Sequence, residues 1–293
     1  MPRRKLFRLK LARRSVLLGE RTLVMAVLNL TPDSFSDGGQ FFSLDQAVAR
    51  ALEMERAGAD VLDIGGESTR PGSSAIPAAE EISRVLPVIS ALRRRLKIPI
   101  SIDTRKASVA EIALGAGAEI VNDISGLHYD PALADVTARQ KAPIILMHMR
   151  GTPRTMQKKP FARDVLKDVR DGLRESVSVA RNAGIAKSQI VLDPGIGFGK
   201  SHEQNYELIA KLAELEKLGF PLLVGTSRKG FIGATLARSG KPRPTDERIW
   251  GTAATVAASI LNGAHIVRVH DVAAMVQVAR VIDCVLDSRN SSN

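Results

Sequence analysis

The apolar run Val24-Met-Ala-Val-Leu28, followed by the polar segment Asn29-Leu-Thr-Pro-Asp-Ser-Phe-Ser-Asp-Gly-Gly39, is the stretch from which the fold is read. The run predicts a buried strand, and Pro32 disfavours helix at the residue before it. Ser43 is the predicted N-cap of a following helix. Polar loops that leave buried strands carry much of the chemistry of α/β proteins. One strand, one loop and one helix therefore form the first unit.

This unit recurs along the chain. Eight short apolar runs, bounded by Gly, Pro or polar residues, predict strands covered on both faces. They are Val24–Asn29, Val61–Gly65, Ile98–Asp103, Ile120–Asp123, Pro143–His148, Ile190–Asp193, Leu222–Thr226 and Ile266–His270. Helical periodicity is found in Asp45–Ala57, Ala79–Leu96, Arg163–Ala183, Gln204–Leu218, Thr245–Leu261 and Val272–Leu286, with a short helix at Phe231–Arg238. Eight consecutive units predict a single α/β domain, a (β/α)8 TIM barrel, and a doubly wound sheet is the alternative.

The N-terminal segment differs from the rest of the chain. We expect residues 1–20 to form a basic arm or strand, residues 21–289 the barrel and residues 290–293 a tail. Seven cations precede Glu20, and Phe7, Leu9 and Leu11 alternate with Leu6, Arg8 and Lys10, which predicts an exposed amphipathic strand or hairpin extension. A transit peptide is the alternative interpretation.

Composition narrows the classes of function. The net charge of +11 favours anionic partners, whereas an aromatic content of 4% argues against a nucleic-acid binder that stacks bases. Cys284 is the single cysteine, which excludes an intrachain disulfide and a metal site built on paired cysteines. It suits a reducing, cytoplasmic compartment. No apolar run reaches the roughly 18 residues of a membrane span, so we expect no membrane partner.

Polar side chains follow almost every predicted strand. They are Asn29, Asp63, Asp103, Asn122, His148 after Met147, Asp193, Ser227 to Lys229, and Arg268 with His270. In a barrel these ends share one face, and such a ring is costly to bury without a ligand. Carboxylates and amides suit the N–H edge of a planar, nitrogen-rich ring, and cations suit an anion. The sequence therefore predicts a two-part ligand, with a metal ion if the anion is pyrophosphate.

The loops together resemble those of the dihydropteroate synthase family. The resemblance rests on motifs in family order between residues 28 and 271. They are Leu28-Asn-Leu-Thr-Pro-Asp-Ser-Phe-Ser-Asp-Gly-Gly39, Asp63-Ile-Gly-Gly-Glu-Ser-Thr-Arg-Pro-Gly72, Ser101-Ile-Asp-Thr-Arg105, Val121-Asn-Asp-Ile-Ser-Gly126, Met147-His-Met149, Asp193-Pro-Gly-Ile-Gly-Phe-Gly199, Thr226-Ser-Arg-Lys229 and Arg268-Val-His-Asp271.

The resemblance implies an enzyme that joins 6-hydroxymethyl-7,8-dihydropterin pyrophosphate to 4-aminobenzoate. The implied pterin-binding residues are Asp103, Asn122, Met147, Asp193, Phe198, Lys229 and Arg268, with Asp63 behind them. Pyrophosphate is implied at Asn29, Thr69, Arg70, Arg268 and His270, and Mg2+ at Asn29. The implied aminobenzoate pocket contains Phe35, Thr69, Arg70, Pro71, Phe198, Lys229 and Gly230. Asp37, Lys229, Arg268 and His270 are the implied catalytic residues, and the family is usually homodimeric.

The implied chemistry is an SN1-like substitution. A neutral aryl amine needs no strong base, so the barrier lies in breaking the C–O bond to pyrophosphate. Cations and Mg2+ would stabilise the departing charge, Asp37 would lie beside the pterin cation, and mobile loops would close over the site. The chain departs from the family at one position, since many members carry Ser where this chain has Gly230.

Other motifs and functions fit less well. Pro194-Gly-Ile-Gly-Phe-Gly-Lys-Ser201 imitates a phosphate-binding loop but has Pro194 where glycine is required. His202-Glu203 lacks the second histidine of a zinc protease helix, because Tyr206 occupies its place. A pterin-binding methyltransferase domain would share the strand-end acids without requiring the cations. A basic nucleic-acid-binding module leaves those acids unexplained.

Overall fold

A computed structural model describes residues 4–11, 14–31, 43–158 and 162–290 of the chain. The strands are β1 (Phe7–Lys10), β2 (Ser15–Leu18), β3 (Leu23–Asn29), β4 (Val61–Gly65), β5 (Ile100–Asp103), β6 (Ile120–Asp123), β7 (Ile144–Met147), β8 (Ile190–Asp193), β9 (Leu223–Val224) and β10 (Ile266–Val269). The helices are α1 (Leu44–Arg56), α2 (Ala78–Leu92), α3 (Ala107–Ala116), α4 (Ala132–Arg139), α5 (Val165–Asn182), α6 (His202–Ala210), α7 (Gly230–Thr235), α8 (Ile249–Leu261) and α9 (Val272–Asn290).

The eight strands β3 to β10 form one parallel sheet that closes on itself. Their order is β8-β7-β6-β5-β4-β3-β10-β9, and a parallel bridge between Leu192 and Leu222 joins the two edges. The N–H of Leu192 also donates to the carbonyl of Pro221 at 2.9 Å. The predicted (β/α)8 barrel is therefore confirmed, and the doubly wound sheet is wrong because its outer strands would not meet.

Helix α1 shows how the local sequence builds the outer layer. Ser43 caps the helix by accepting the N–H of Gln46 at 3.2 Å, and Gln46 returns a bond to the N–H of Ser43. The buried residues Ala47, Ala51 and Met54 recur at helical spacing, so one face packs on the barrel. The predicted cap is confirmed, and the same inward packing is repeated by the other helices around the sheet.

Several predicted boundaries change. The run Leu222–Thr226 contributes only β9, and Gln204–Leu218 divides into α6 and a 3-10 helix at Leu212–Leu218. Helices α3 and α4 were not among the predicted helical patterns. Helix α3 is rich in Ala and other apolar residues and lacks a clear polar stripe, so its periodicity is weak.

The N-terminal segment is an antiparallel hairpin that closes the bottom of the barrel. Strands β1 and β2 pair from Phe7 with Leu18 to Lys10 with Ser15. Leu9, Leu11 and Leu18 are buried against the first residues of the barrel strands. The predicted exposed strand is therefore corrected, because one face of the hairpin is covered by the barrel.

Charges of this segment also have structural partners. The guanidinium of Arg4 pairs with Asp283 at 2.5 Å and donates to the hydroxyl of Thr22 at 2.7 Å. Arg14 pairs with Glu119 at 2.6 Å. Two of the N-terminal cations thus fasten the hairpin to the barrel. Within the ranges that the structure describes, no helix is both long and apolar enough to cross a membrane.

Candidate active site

Four strand ends form a continuous row at the carboxyl end of the barrel. Asn29 lies in register beside Gly65, Gly65 beside Asp103, and Asp103 beside Asn122. A Cβ at Gly65 would lie 3.5 Å from the Cβ of Asp103 and 3.6 Å from Oδ1 of Asn29. The glycine therefore leaves a notch between an amide and a carboxylate on neighbouring strands.

Arg268 crosses the barrel to two of the acids. Its Nε donates to Oδ2 of Asp63 at 2.7 Å, and its Nη2 donates to Oδ2 of Asp103 at 2.6 Å. Asn122 donates to the same oxygen of Asp63 at 2.9 Å. Asp63 is fully buried, and its Oδ1 has no hydrogen-bond partner in the described structure. Without a ligand the guanidinium of Arg268 is held by two carboxylates, and its predicted contact with an anion stays a prediction.

We call the carboxyl end of the barrel strands the rim, and its polar side chains are those of Asn29, Asp63, Asp103, Asn122, Asp193, Lys229 and Arg268. Burial raises the pKa of two of its acids, Asp103 and Asp193. Burial raises the pKa of Asp103, against the opposing charge of Arg268, and the nearby Asp63 adds to the rise. Burial also raises the pKa of Asp193 to about 6, although its Oδ1 accepts the N–H of Gly195 at 2.7 Å. Burial lowers the pKa of Arg268, but its two carboxylate partners outweigh this and raise it. Arg268 therefore remains a cation while Asp193 can exchange a proton near pH 6.

Lys229 brings a second cation to the rim beside an apolar surface. Its Nζ lies 4.0 Å from the centroid of the Phe198 ring, within cation–π range. Phe198 packs with Ile124, Met147 and Met156 in a small apolar cluster. Burial, together with the charge of Arg268, lowers the pKa of Lys229 to about 8. The site thus offers a flat apolar wall next to the acids.

The Ser227-Arg228-Lys229 triplet divides into three different roles. The hydroxyl of Ser227 accepts the backbone N–H of His270 at 3.2 Å and lies 3.0 Å from its Nδ1. Arg228 turns to the side and pairs with Asp271, its Nε 2.9 Å from Oδ2. The sequence predicted cations at this strand end. Of Arg228 and Lys229, only Lys229 lies with the rim acids.

His270 is neutral at physiological pH. Burial and the charge of Arg268 lower its pKa to about 3. In the tautomer in which the Ser227 hydroxyl donates to Nδ1, the neutral imidazole carries its hydrogen on Nε2. In that form His270 offers an anion one N–H donor rather than a positive charge.

Residues 194–201, the glycine-rich segment that imitates a phosphate-binding loop, place their lysine inside the protein. Lys200 is only 1% exposed. Its Nζ bonds to the carbonyls of His148 at 3.1 Å and Phe198 at 3.0 Å, and lies 3.1 Å from Nδ1 of His148. Burial lowers its pKa to about 7. Lys200 therefore ties the loop after β8 to the loop after β7 and is not open to a phosphate.

Other predicted residues are not brought to the rim acids. Thr69, Arg70 and Pro71 lie in the loop after β4, and no hydrogen bond or ion pair joins their side chains to the rim in the described structure. Phe35 and Asp37 lie outside the described residues. Gly230 is the exposed first residue of α7, and a Cβ there would meet no atom within 4 Å.

A cavity of about 650 Å3 lies beside the rim rather than at it. It opens between the loop after β7 and helix α5, where His148 and Asp168 face each other, and it shares Met147 with the predicted site. None of the strand-end acids lines it. We place the candidate site at the rim because the buried acids, the amide and the cations converge there.

The fold and this rim define a TIM-barrel enzyme with a ligand site at the carboxyl end of its strands. The family described as pterin binding enzyme matches residues 25–270. A dihydropteroate synthase from Synechocystis is 54% identical over 265 residues, which is 90% of this chain and 90% of the relative. The chain belongs to the dihydropteroate synthase family of pterin-binding enzymes.

Solved structures agree with the sequence relatives. The dihydropteroate synthase of Xanthomonas albilineans with 4-aminobenzoic acid superposes with a TM-score of 0.88 at 42% identity, covering 96% of this chain and 98% of that one. The same enzyme in complex with 7,8-dihydropteroate gives a TM-score of 0.85 at 40% identity, covering 95% and 98%.

We predict that Gly195→Ala destabilises the protein more than Gly184→Ala. Both glycines have positive φ, +67° and +93°, so both variants carry the left-handed strain of about 1–2 kcal/mol. A Cβ at Gly195 would lie 1.9 Å from the carbonyl oxygen of His148, whereas nothing lies within 4 Å at Gly184. We expect the clash to add about 1–3 kcal/mol, measured by urea unfolding. Equal losses of unfolding free energy would show that the two loops do not pack closely.

Proposed function

We propose that this chain condenses 6-hydroxymethyl-7,8-dihydropterin pyrophosphate with 4-aminobenzoate, giving 7,8-dihydropteroate and pyrophosphate. The observation that carries the proposal is the convergence of buried acids with Arg268 and Lys229 on one rim. Acids and cations together match a substrate with an N–H-rich ring at one end and an anion at the other. The Xanthomonas relatives contain 4-aminobenzoic acid and 7,8-dihydropteroate, a substrate and the product of this reaction.

The acids and the amide bind the pterin ring. Asp193 and Asp103 accept N–H groups of the heterocycle, and Asn122 supplies an amide between them. Met147 and Phe198 pack against the ring, since both belong to the apolar cluster beside the rim. Asp63 acts behind them by holding the amide of Asn122. Each of these buried polar side chains already has a partner in the described structure, so the pterin would add to or replace existing hydrogen bonds.

Arg268 and the neutral His270 bind the pyrophosphate leaving group. Arg268 binds pyrophosphate and lies over the pterin after its Nη2 leaves Asp103. His270 donates a hydrogen bond from its Nε2–H, and Asn29, Thr69 and Arg70 complete the pyrophosphate contacts. A methyltransferase domain would not require this set of donors next to Lys229.

Mg2+ fits the chemistry of Asn29. Its amide oxygen is a hard donor at the notch left by Gly65, and Mg2+ commonly takes one or two protein oxygens together with substrate phosphates and waters. Among the residues that the structure describes, no three His, Cys, Asp or Glu side chains cluster as metal ligands. When bound, the ion would neutralise charge on the departing pyrophosphate.

The proposed substitution is SN1-like. The residues of the chain bind and orient the pterin, stabilise the charge of the departing pyrophosphate and require no base, because the aryl amine already has a free lone pair. Arg268, His270 and Lys229 supply the stabilisation. Asp37 would place a negative charge beside the pterin cation. The amine enters a pocket formed by Phe35, Thr69, Arg70, Pro71, Phe198, Lys229 and Gly230.

We further propose that the chain acts in the cytoplasm as a homodimer, and that residues 21–289 form its catalytic domain. The exposed free thiol of Cys284 suits a reducing compartment. Trp250 of α8 is 81% exposed and Val281 of α9 is 62% exposed, and large exposed apolar side chains favour a protein interface.

The direct test is to mix the purified chain with dihydropterin pyrophosphate, 4-aminobenzoate and Mg2+ and to measure released pyrophosphate. We expect Lys229→Ala and Asp103→Ala each to lower turnover by at least about 100-fold, because both remove a group that contacts substrate. The surface variant Lys211→Ala, which breaks only an exposed pair with Glu207, is the control. Near-wild-type turnover of folded Lys229→Ala and Asp103→Ala would remove these residues from the site.

Pterin binding should weaken as the pH falls below about 7. In the folded protein without ligand, burial raises the pKa of Asp103 to about 7 and that of Asp193 to about 6, and the pterin needs both carboxylates ionised. One proton must leave before binding just below about pH 7 and two below about pH 6, so the Kd rises about tenfold per pH unit at first and about a hundredfold per unit at lower pH. Calorimetric titration of 6-hydroxymethylpterin checks this. A Kd independent of pH between about pH 5 and about pH 7 would contradict the role of Asp193.

Gly230→Ser should be tolerated and should alter affinity for 4-aminobenzoate. Among the described residues no atom lies within 4 Å of a Cβ at this position, and replacing a helical glycine gains up to about 1 kcal/mol. The added hydroxyl would restore a donor that many family members have. We expect a lower KM for 4-aminobenzoate with an unchanged Kd for 6-hydroxymethylpterin. An unchanged KM would place residue 230 outside the aminobenzoate pocket.

A further inference from the structure

A buried network of four charges includes Glu67, which belongs to the loop of residues 66–77. Glu67 pairs with Arg105 at 2.7 Å and with Lys106 at 2.5 Å, and Lys106 also pairs with Glu81 at 2.5 Å. All four side chains are at most 9% exposed. Two acids and two bases balance each other, so removing one partner would leave an uncompensated buried charge.

Glu67 also closes the base of the loop. Its Oε2, which pairs with Lys106, accepts the backbone N–H of Ile76 at 3.2 Å. The segment from residue 67 to residue 76 is therefore fastened at both ends by one side chain. Inside it, the hydroxyl of Ser73 donates to the carbonyl of Ser68 at 2.6 Å. The tip, with Arg70 and Pro71, is exposed.

The network adjoins the rim through two strands. Strand β4 carries Asp63, and Glu67 follows two residues after the end of that strand. Strand β5 ends at Asp103, and Lys106 follows three residues later. Gly66 packs tightly in between, since a Cβ there would lie 2.8 Å from Val85 and 3.1 Å from Glu81. The path by which the loop leaves the rim is thus fixed by contacts on each side.

The charge of Glu67 is retained at neutral pH. Burial opposes ionisation, but the hydrogen bond from Lys106 and the N–H of Ile76 outweigh it and lower the pKa of Glu67. The carboxylate is therefore available to all three of its partners under the conditions in which the protein works.

We propose that Glu67 is a positioning residue that holds the loop with Thr69, Arg70 and Pro71 where it binds the aromatic amine. The inference rests on the proposed function, in which that loop lines the aminobenzoate pocket. Glu67 touches neither substrate. It acts through Arg105, Lys106 and Ile76, and it sets affinity for the amine rather than for the pterin.

The test compares Glu67→Gln with Glu53→Gln. The first keeps the side-chain size but removes the buried charge, whereas the second breaks only an exposed pair between Arg50 and Glu53 on α1. For Glu67→Gln we expect the KM for 4-aminobenzoate to rise at least about tenfold while the Kd for 6-hydroxymethylpterin changes less than about twofold. Glu67→Asp, which restores the charge, should recover part of the affinity. Glu53→Gln should change neither value.

A second variant keeps the test decisive if Glu67→Gln fails to fold. Ser73→Ala removes one hydrogen bond within the same loop and leaves the ion pairs intact, so it should raise the same KM by a smaller factor. Hydrogen exchange of the amides of residues 68–76 gives a readout that needs no turnover, and it should accelerate in both variants.

The outcomes separate the two proposals. If the folded variants keep the wild-type KM for 4-aminobenzoate and the wild-type exchange of residues 68–76, the positioning role is overturned. The positioning role is also overturned if the affinities for the pterin and for the amine fall by the same factor, because that result indicates a general loosening of the site. If the wild-type protein releases no pyrophosphate from the two substrates, the proposed function fails first.

Discussion

The ion pairs of Arg268 with Asp63 and Asp103 are the interaction on which the rest of the site depends. A guanidinium that is largely buried needs carboxylate partners, and two buried carboxylates on adjacent strands need a cation. The three residues come from β10, β4 and β5, with β3 between β10 and β4 in the sheet. They meet only because the sheet curves into a barrel and directs its inward side chains to one centre. The fold therefore places the charges before any ligand arrives.

In the proposed reaction the pterin ring replaces Arg268 as the hydrogen-bond donor to Asp103. The N–H edge of the pterin offers Asp103 the same kind of donor that Arg268 supplies, so the ring can replace the guanidinium without leaving the acid unpaired. The guanidinium then becomes available to pyrophosphate at the other end of the substrate. Asp63 accepts a hydrogen bond from Asn122, and in the proposed exchange this bond would hold the amide in place beside the pterin. Binding of the ring and binding of the anion are coupled through one side chain.

The sequence predicted those parts of the molecule that depend on local pattern. Short apolar runs followed by polar residues predicted the eight strands and the barrel, and placed Asp103, Asn122 and Asp193 at strand ends. Helix α3 was not predicted because its small apolar residues show little periodicity. Pairings between distant residues were not predicted either, since no local signal indicates that Glu67 contacts Lys106 or that Lys200 contacts the carbonyl of His148. The orientation of Arg268 belongs to this second group, as it depends on which carboxylates the fold brings within reach.

The most direct test of this account is a calorimetric titration of inorganic pyrophosphate into the wild-type protein, with Mg2+, in the absence and presence of 6-hydroxymethylpterin. Because in the proposed exchange the pterin takes the place of Arg268 on Asp103, we expect pyrophosphate to bind at least about tenfold more tightly when the pterin is present. We expect the reciprocal gain for the pterin. Equal affinity for pyrophosphate with and without the pterin would contradict the exchange at Arg268.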